Sequence, residues 1–346
     1  MIVKSRAYSR AALIGNPSDG YFGKTIAFAF SNFQADVTLY DTPEIEILPA
    51  QRDHSRFASL GALATDVRAY GYYGGVRLVK AALKRFHDYC TDTGAALHDR
   101  NFSIRYHTSI PAHLGLAGSS AITTACMRAL STFYGVTIPK PQLANLVLSV
   151  ETEELGIGAG LQDRVAQVYE GIVHMDFTRE HMEKHGYGIY TELAPERLPR
   201  LYIAFNPGFA EGTEIVHNNL RYRWQNGDAQ VHRAMEEFAI LTDAFRTALE
   251  CGDEAEMNRI IDANFDLRRS IMDLNPRHVQ MVEAARSTGA SAKYTGSGGA
   301  VIGIYRDETM LNRLREALGA LGATVFTPAI AGGEYSLRSA ANRSDA

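Results

Sequence analysis

Three cysteines in 346 residues, Cys90, Cys126 and Cys251, are too few and too scattered for a disulfide framework or a zinc-ligand spacing. No apolar run approaches the roughly 20 residues that span a bilayer. The opening residues, Met1-Ile-Val-Lys-Ser-Arg6, lack the apolar centre of a secretion signal, so a cytoplasmic protein with no membrane partner is the default expectation. Neither sign of charge dominates: 35 Lys and Arg against 39 Asp and Glu leave a net charge of −4. With no dense basic stripe, a nucleic-acid partner is not expected. No Gly-Lys-Ser/Thr follows any glycine cluster, which excludes a Walker A loop. Internal repeats and low-complexity segments are also absent.

The content that remains is that of a soluble enzyme, 46% hydrophobic and 21% charged. The length exceeds what one hydrophobic core usually serves, so two domains are expected. A Pro-containing connection near Ala194–Arg200 places the division at 1–197 and 198–346. Alternation predicts strands at Thr25–Phe30, Ala35–Tyr40, Asn101–Ile110, Gly171–Phe177, Gly188–Leu193 and Leu201–Phe205. Helical spacing predicts helices over Gly74–Cys90, from near Ser119, and from Pro139 onward. The second half reads as helices near 230–250, 254–272 and 276–288, strands near 291–295 and 300–305, and a final helix and strand. Strands and helices without strict βα alternation indicate an α+β fold.

Pro111-Ala-His-Leu-Gly115-Leu-Ala-Gly118-Ser119-Ser120-Ala121 joins a strand to a helix. Its small residues allow close backbone approach, and the helix N-terminus offers free N–H groups that suit phosphate. An ordinary connection with Ser119 or Ser120 as the helix cap explains the same residues. Lys293-Tyr-Thr295-Gly296-Ser297-Gly298-Gly299 lies between two strand-like runs and reads either as an anion nest or as a hairpin turn. Glu151 sits on the edge of an apolar stripe with Val147 and Leu155, where a carboxylate needs a partner or a cation such as Mg²⁺. Glu153 and Glu154 beside it leave a surface salt bridge open. Asp163 opens a helix-like run after Gly158 and Gly160, as an N-cap or as the group that orients and deprotonates a substrate hydroxyl. Arg10 is a surface charge or a stabiliser of a transferring phosphoryl group, and Asp19 a turn residue or a ligand. His181 and His185 have the i, i+4 spacing of metal ligands, but the surrounding charge reads as a solvated segment.

Together these segments resemble the GHMP kinases, the superfamily of galactokinase, homoserine kinase, mevalonate kinase and phosphomevalonate kinase. Arg10–Tyr21 resembles the first motif, Arg-Val-Asn-Leu-Ile-Gly-Glu-His-Thr-Asp in galactokinases. Pro111–Ala121 resembles the phosphate loop, and Lys293–Gly299 the third motif, Lys-x-Thr-Gly-x-Gly-Gly. Longer stretches are similar to plant-type glucuronokinases: Leu13-Ile-Gly-Asn-Pro-Ser-Asp, Gly71-Tyr-Tyr-Gly-Gly-Val-Arg-Leu, Gly160-Leu-Gln-Asp-Arg-Val-Ala-Gln-Val-Tyr and Thr295-Gly-Ser-Gly-Gly-Ala-Val. Asn16 and Pro17 stand where galactokinases carry a sugar-binding Glu and His, which argues against galactose.

The resemblance implies an N-terminal domain like domain 2 of ribosomal protein S5 and a ferredoxin-like C-terminal domain, with ATP and a small sugar acid between them. It assigns the nucleotide to Pro111, Gly115, Leu116, Ala117, Gly118, Ser119, Ser120 and Ala121 and to Thr295, Gly296, Ser297 and Gly298. It assigns Mg²⁺ to Ser120 and Glu151, catalysis to Asp163 and Arg10, and the sugar to Asp19 and Gly160; Tyr21 and Arg164, in the matched stretches, are further substrate candidates. A uronate would also need a cation for its carboxylate; Arg164, Arg77 and Lys24 are the candidates, spacing does not choose among them, and a structural ion pair is the favoured reading of each. The competing expectations are a kinase for another sugar such as galacturonate or a heptose, and a non-catalytic sugar and ATP sensor.

Overall fold

The fold is that of a computed structural model, which describes residues 1–50, 53, 58–61, 63, 74–209 and 214–332, without the side chains of 214–218. Gly71, Tyr72 and Tyr73, part of one family-like stretch, lie outside the described residues. Six strands form the first sheet: β1 (Ile2–Ile14), β2 (Lys24–Thr42), β3 (Glu46–Leu48), β4 (Asn101–Thr108), β5 (Ile172–Asp176) and β6 (Ile189–Leu193). The two runs expected as separate strands, Thr25–Phe30 and Ala35–Tyr40, are halves of the single strand β2. A break in register opposite Tyr8 and Ser9 bends it through Ser31–Phe33. β1 pairs along one edge of β2; on the other edge β5 pairs with its first half and β4 with its second. Thr25–Phe30 is wholly buried, whereas Ala35–Tyr40 alternates between buried and half-buried. The first half is therefore covered on both faces and the second on one.

Helices α1 (Gly75–Thr93), α2 (Gly118–Tyr134), α3 (Lys140–Ser149), α4 (Leu161–Tyr169) and the short α5 (Arg179–His185), which touches the core only through half-buried Met182, belong to this half. Helix α2 packs on β1 and β2 through Ala125, Ala129, Leu130 and Phe133.

The second sheet has the order β10-β7-β9-β8, made of β7 (Leu201–Phe205), β8 (Lys293–Tyr294), β9 (Ala300–Ile304) and β10 (Thr324–Phe326). All its pairs are antiparallel. This is the ferredoxin-like arrangement, with four helices in place of the first: α6 (Glu214–Gln225), α7 (Ala229–Cys251), α8 (Glu254–Ile271) and α9 (Pro276–Arg286). Helix α10 (Glu308–Gly319) is the second crossover. Asp228, Asp253, Asn275 and Asp307 cap α7, α8, α9 and α10 by accepting from first-turn N–H groups. Helix α6 carries no strong sequence signal, and the spacing of residues 206–228 does not predict it.

One apolar core links the two sheets, from Leu13, Phe28 and Leu130 to Phe245, Ile260 and Ile302. A separate cluster joins Tyr21 to Leu220, Phe238 and Ile271. Among the described residues no helix is long and apolar enough to cross a membrane.

Candidate active site

Arg10 lies on β1 where that strand passes beneath both glycine loops. The residue is 4% exposed. Nε donates to Asp163 Oδ1 (2.8 Å), and Nη2 is 2.6 Å from the same oxygen. Nη1 donates to the Gly115 carbonyl (3.0 Å) and to the Thr295 carbonyl (2.8 Å). A buried charge needs such saturation, because each missing partner leaves an uncompensated desolvation cost. One side chain thus ties together the phosphate-loop candidate, the second glycine loop and the candidate base.

The loops also meet backbone to backbone. Gly115 has φ +65°, and a Cβ there would lie 3.0 Å from the Gly298 carbonyl; a Cβ on Gly296 would lie 2.5 Å from the Gly115 carbonyl. Only glycine permits that approach. Residues 295–299 form the turn between β8 and β9, so the hairpin reading holds and the same turn is brought against the first loop. The residue capping α2 is Ala117 in the left-handed region (φ +61°), with no side-chain cap. The expectation of a serine cap is therefore corrected: a left-handed turn starts the helix at Gly118 and frees both hydroxyls for other bonds. As at any helix start, the N–H groups of Gly118, Ser119 and Ser120 have no intrahelical acceptor and face the place an anion would take.

Ser119 Oγ donates to Glu151 Oε1 (2.8 Å). Ser120 is wholly buried and its hydroxyl turns back to the Ala117 carbonyl (3.2 Å). The hydroxyl beside the carboxylate is therefore that of Ser119, in place of the expected Ser120. Thr295 is likewise turned inward, its hydroxyl on the Gly115 and Ala300 carbonyls, so its contribution to a nucleotide site is to shape the loop.

Glu151 sits in a π-helical turn, Val150–Glu154, that widens the end of α3; such turns recur at functional sites. It is buried and paired with buried Arg164. Arg164 also donates to the Gly160 carbonyl (2.9 Å) and lies 3.5 Å from Asp163 Oδ2. It balances two carboxylates inside the site, the structural ion-pair role expected as the alternative to a clamp for a sugar carboxylate. The other two candidates are committed elsewhere: Arg77 to the Leu155 carbonyl (3.3 Å), and Lys24 to Asp243 (2.8 Å) and Asp176 (3.3 Å). Glu153 and Glu154 make the salt bridges expected of surface residues, with Arg85 and Lys84. His181 and His185 stand on α5, the first half-buried and the second exposed, and no group of three or more acidic, His or Cys side chains among the described residues could hold a metal by itself. A lone buried carboxylate and a hydroxyl beside a phosphate-binding helix start nevertheless fit Mg²⁺, which is commonly held by one or two carboxylates and the substrate's own phosphates.

Asp163 lies in the first turn of α4, whose N-cap is Gly160; it is a partner of Arg10, not a cap. Asp19 lies beside it. Desolvation pushes the Asp19 carboxyl up to about 6, and the Asp163 charge adds to the shift. A Cβ on Gly160 would lie 2.2 Å from Asp19 Oδ2, so glycine is what lets the two segments meet. The Tyr21 ring packs into the apolar cluster against Trp224, with centroids 5.3 Å apart; burial pushes its hydroxyl up to about 12.

Two residues of α8 escape a sequence reading. Asn264 accepts from the Gly15 N–H (2.7 Å), and Arg268 donates to the carbonyls of Gly296 (2.7 Å) and Ser297 (3.3 Å). Both are buried on the stripe of Ile260, Ile261 and Phe265. Polar residues four apart on an apolar stripe were the available signal. Lys293 is also fully buried, its Nζ on the Ala12 carbonyl (2.8 Å). Desolvation, with the nearby Arg268 and Arg10 charges, holds its pKa well below the usual lysine value.

Known proteins resemble this chain along most of its length. The GHMP kinases N terminal domain model matches residues 77–171, and the GHMP kinases C terminal model matches 240–324. A probable glucuronokinase 2 of Arabidopsis thaliana is 45% identical over 308 residues, 87% of this chain and 84% of that protein. Glucuronokinase 1 of the same plant is 44% identical over 306 residues, with the same coverage. The structure of Lactococcus lactis galactokinase complexed with galactose superposes with a TM-score of 0.78 at 15% identity, covering 96% of this chain and 94% of that one. With relatives this similar along most of its length, the chain belongs to the GHMP kinases.

Proposed function

We propose that the protein is a glucuronokinase, transferring the γ-phosphoryl group of ATP to the anomeric hydroxyl of D-glucuronate to give D-glucuronate 1-phosphate and ADP. The observation that carries a kinase reading is Arg10, which holds Asp163 at the meeting point of the two glycine loops. The substrate assignment rests on the two plant glucuronokinases that this chain resembles.

In this reading the free N–H groups at the start of α2 and the turn 296–298 hold the triphosphate. Asp163 accepts the proton of the anomeric hydroxyl as that oxygen bonds to the γ-phosphorus and the bond to the bridging oxygen of ADP breaks. Arg10 holds the carboxylate in place and stabilises the charge that spreads over the phosphoryl oxygens. Asp19, beside Asp163, accepts from a sugar hydroxyl, and the bare Cα of Gly160 gives the ring room. Mg²⁺ would be held by Glu151 and the Ser119 hydroxyl and would offset phosphate charge. Positioning and electrostatics then supply most of the rate. We divide the chain at 197/198, with the substrates between the halves, and place the enzyme in the cytoplasm, where its three unpaired cysteines remain reduced.

Steady-state phosphoryl transfer across glucuronate, galacturonate, a heptose and neutral hexoses tests the assignment. Glucuronate is expected to give the highest kcat/KM, and turnover of neutral hexoses but of no uronate would overturn it.

A further inference from the structure

The start of α2 depends on a strained residue. Ala117, at φ +61° and ψ +45°, holds the left-handed conformation that a Cβ disfavours. This turn aims the N–H groups of Gly118, Ser119 and Ser120 away from the helix body. Three donors hold the Ala117 carbonyl: the Ala121 N–H of the helix itself (3.2 Å), the Ser120 hydroxyl (3.2 Å) and Nε2 of Gln167 (2.8 Å). Of these, Gln167 alone comes from another element. It is wholly buried on α4, one helical turn beyond Asp163. Its Nε2 also donates to the Tyr8 carbonyl of β1 (3.0 Å). Two carbonyls need both amide protons, so the amide oxygen faces elsewhere, and among the described residues it is buried with no hydrogen-bond partner. Such an orphan costs free energy, and a residue that only filled the core would avoid it. Helix α2 is fastened to α4 separately, because Arg128 donates to the carbonyls of Gln167 (2.9 Å) and Val168 (3.1 Å). Losing the Gln167 amide would therefore release the first turn of α2 and leave the rest of the helix in place.

We infer that Gln167 is a positioning residue for ATP: its amide holds Ala117 left-handed and so presents the start of α2 to the triphosphate, in register with Asp163 on the same helix as the amide. This role rests on the triphosphate site proposed above and deepens it. Without the amide, Ala117 relaxes toward the conformations an alanine prefers, and binding of ATP has to restore the turn. Apparent affinity then falls in proportion to the fraction of molecules with the turn ready. Once ATP is bound the turn is back in place, so turnover at saturation is kept. A residue that acted instead by holding Asp163 would show the opposite pattern, a loss in kcat.

The test measures kcat and the KM values for ATP and sugar in Gln167→Leu, made both in the wild-type chain and in Ala117→Gly. In the wild-type chain the substitution should raise KM for ATP roughly 3- to 10-fold, the worth of one neutral hydrogen bond, with kcat and KM for the sugar held. In the Ala117→Gly background the left-handed turn carries no steric cost, and the same substitution should raise KM for ATP by less than about twofold. Gln167→Met, unbranched and of similar length, takes the place of Gln167→Leu where thermal unfolding shows the leucine variant unfolded at the assay temperature. An unchanged KM for ATP, an equal rise in both backgrounds, or a fall in kcat without a rise in KM for ATP would overturn the inference. A wild-type enzyme that turns over another sugar but not glucuronate refutes the substrate assignment alone, and the ATP measurements are then made with that sugar. A wild type that transfers no phosphate from ATP to any sugar refutes the reading of the site itself, before any variant is compared.

Discussion

Replacing Asp19 with Asn should make the protein more stable and a poorer enzyme. Asp19 is an acid whose pKa rises from 3.8 to about 6 on folding, because folding desolvates it and sets it beside Asp163. Ionisation therefore opposes folding. Below pH 3.8 the group is protonated in both states and there is no penalty; the penalty grows between 3.8 and about 6 and is complete above. A shift of about two units at about 1.4 kcal/mol each is a cost of about 3 kcal/mol at neutral pH. Asn keeps the shape and an oxygen to accept from the Gln162 N–H, which lies 3.4 Å from Asp19, and it carries no charge. Urea unfolding of wild type and Asp19→Asn at several pH values from 4 to 7 should give curves that converge at the acid end. At neutral pH the variant should be ahead by up to about 3 kcal/mol. KM for the sugar should rise, since the amide cannot match a carboxylate as an acceptor. A stability difference that is zero, reversed or constant across that range would refute the reasoning.

The other expectations concern neighbouring groups. Gly160→Ala places a Cβ on Asp19 and should raise sugar KM at least several-fold in steady-state assays while KM for ATP holds. Ser119→Ala should raise the Mg²⁺ concentration needed for half-maximal rate, and Ser120→Ala should not, because only the Ser119 hydroxyl meets Glu151; a Mg²⁺ titration of both variants checks this. Glu151→Gln leaves Arg164 as a buried charge with one partner fewer, and thermal or urea unfolding should show a loss of about 3–5 kcal/mol. Arg268→Met frees the turn at Gly296 and Ser297 and should raise KM for ATP more than KM for the sugar.

Much of this site is legible along the chain because its parts have local signatures. The glycine loops can be recognised because a φ of +65° at Gly115 and the contact of Gly296 with it tolerate no side chain. Asp163 and Glu151 stand out as carboxylates on short helical runs. Spacing does not reveal which partner each group takes. Nothing local distinguishes Ser119 from Ser120; the π turn that carries Glu151 decides between them by aiming the carboxylate at the first. Arg164 reads as a substrate cation or, more readily, a structural ion pair, and the fold gives it the second role by burying it between Glu151 and Asp163. Asn264 and Arg268 lie more than a hundred residues from the first two motifs, and only the packing of α8 brings them to Gly15 and to the second glycine loop. Alternation divides strand β2 in two because Ser31–Phe33 breaks it, while pairing with β1 carries the strand through the bend.

The central claim is that Asp163, held by Arg10, takes the proton from an anomeric hydroxyl that attacks the γ-phosphorus. Phosphorus NMR of the products formed from ATP and glucuronate, with wild type and with Asp163→Asn at equal concentrations, tests it most directly. The account predicts ADP and a phosphate signal coupled to the anomeric proton of the uronate. In Asp163→Asn the rate should fall by about 100-fold or more, the usual worth of a positioned base. A phosphate on another hydroxyl, or an undiminished rate in Asp163→Asn, would contradict it.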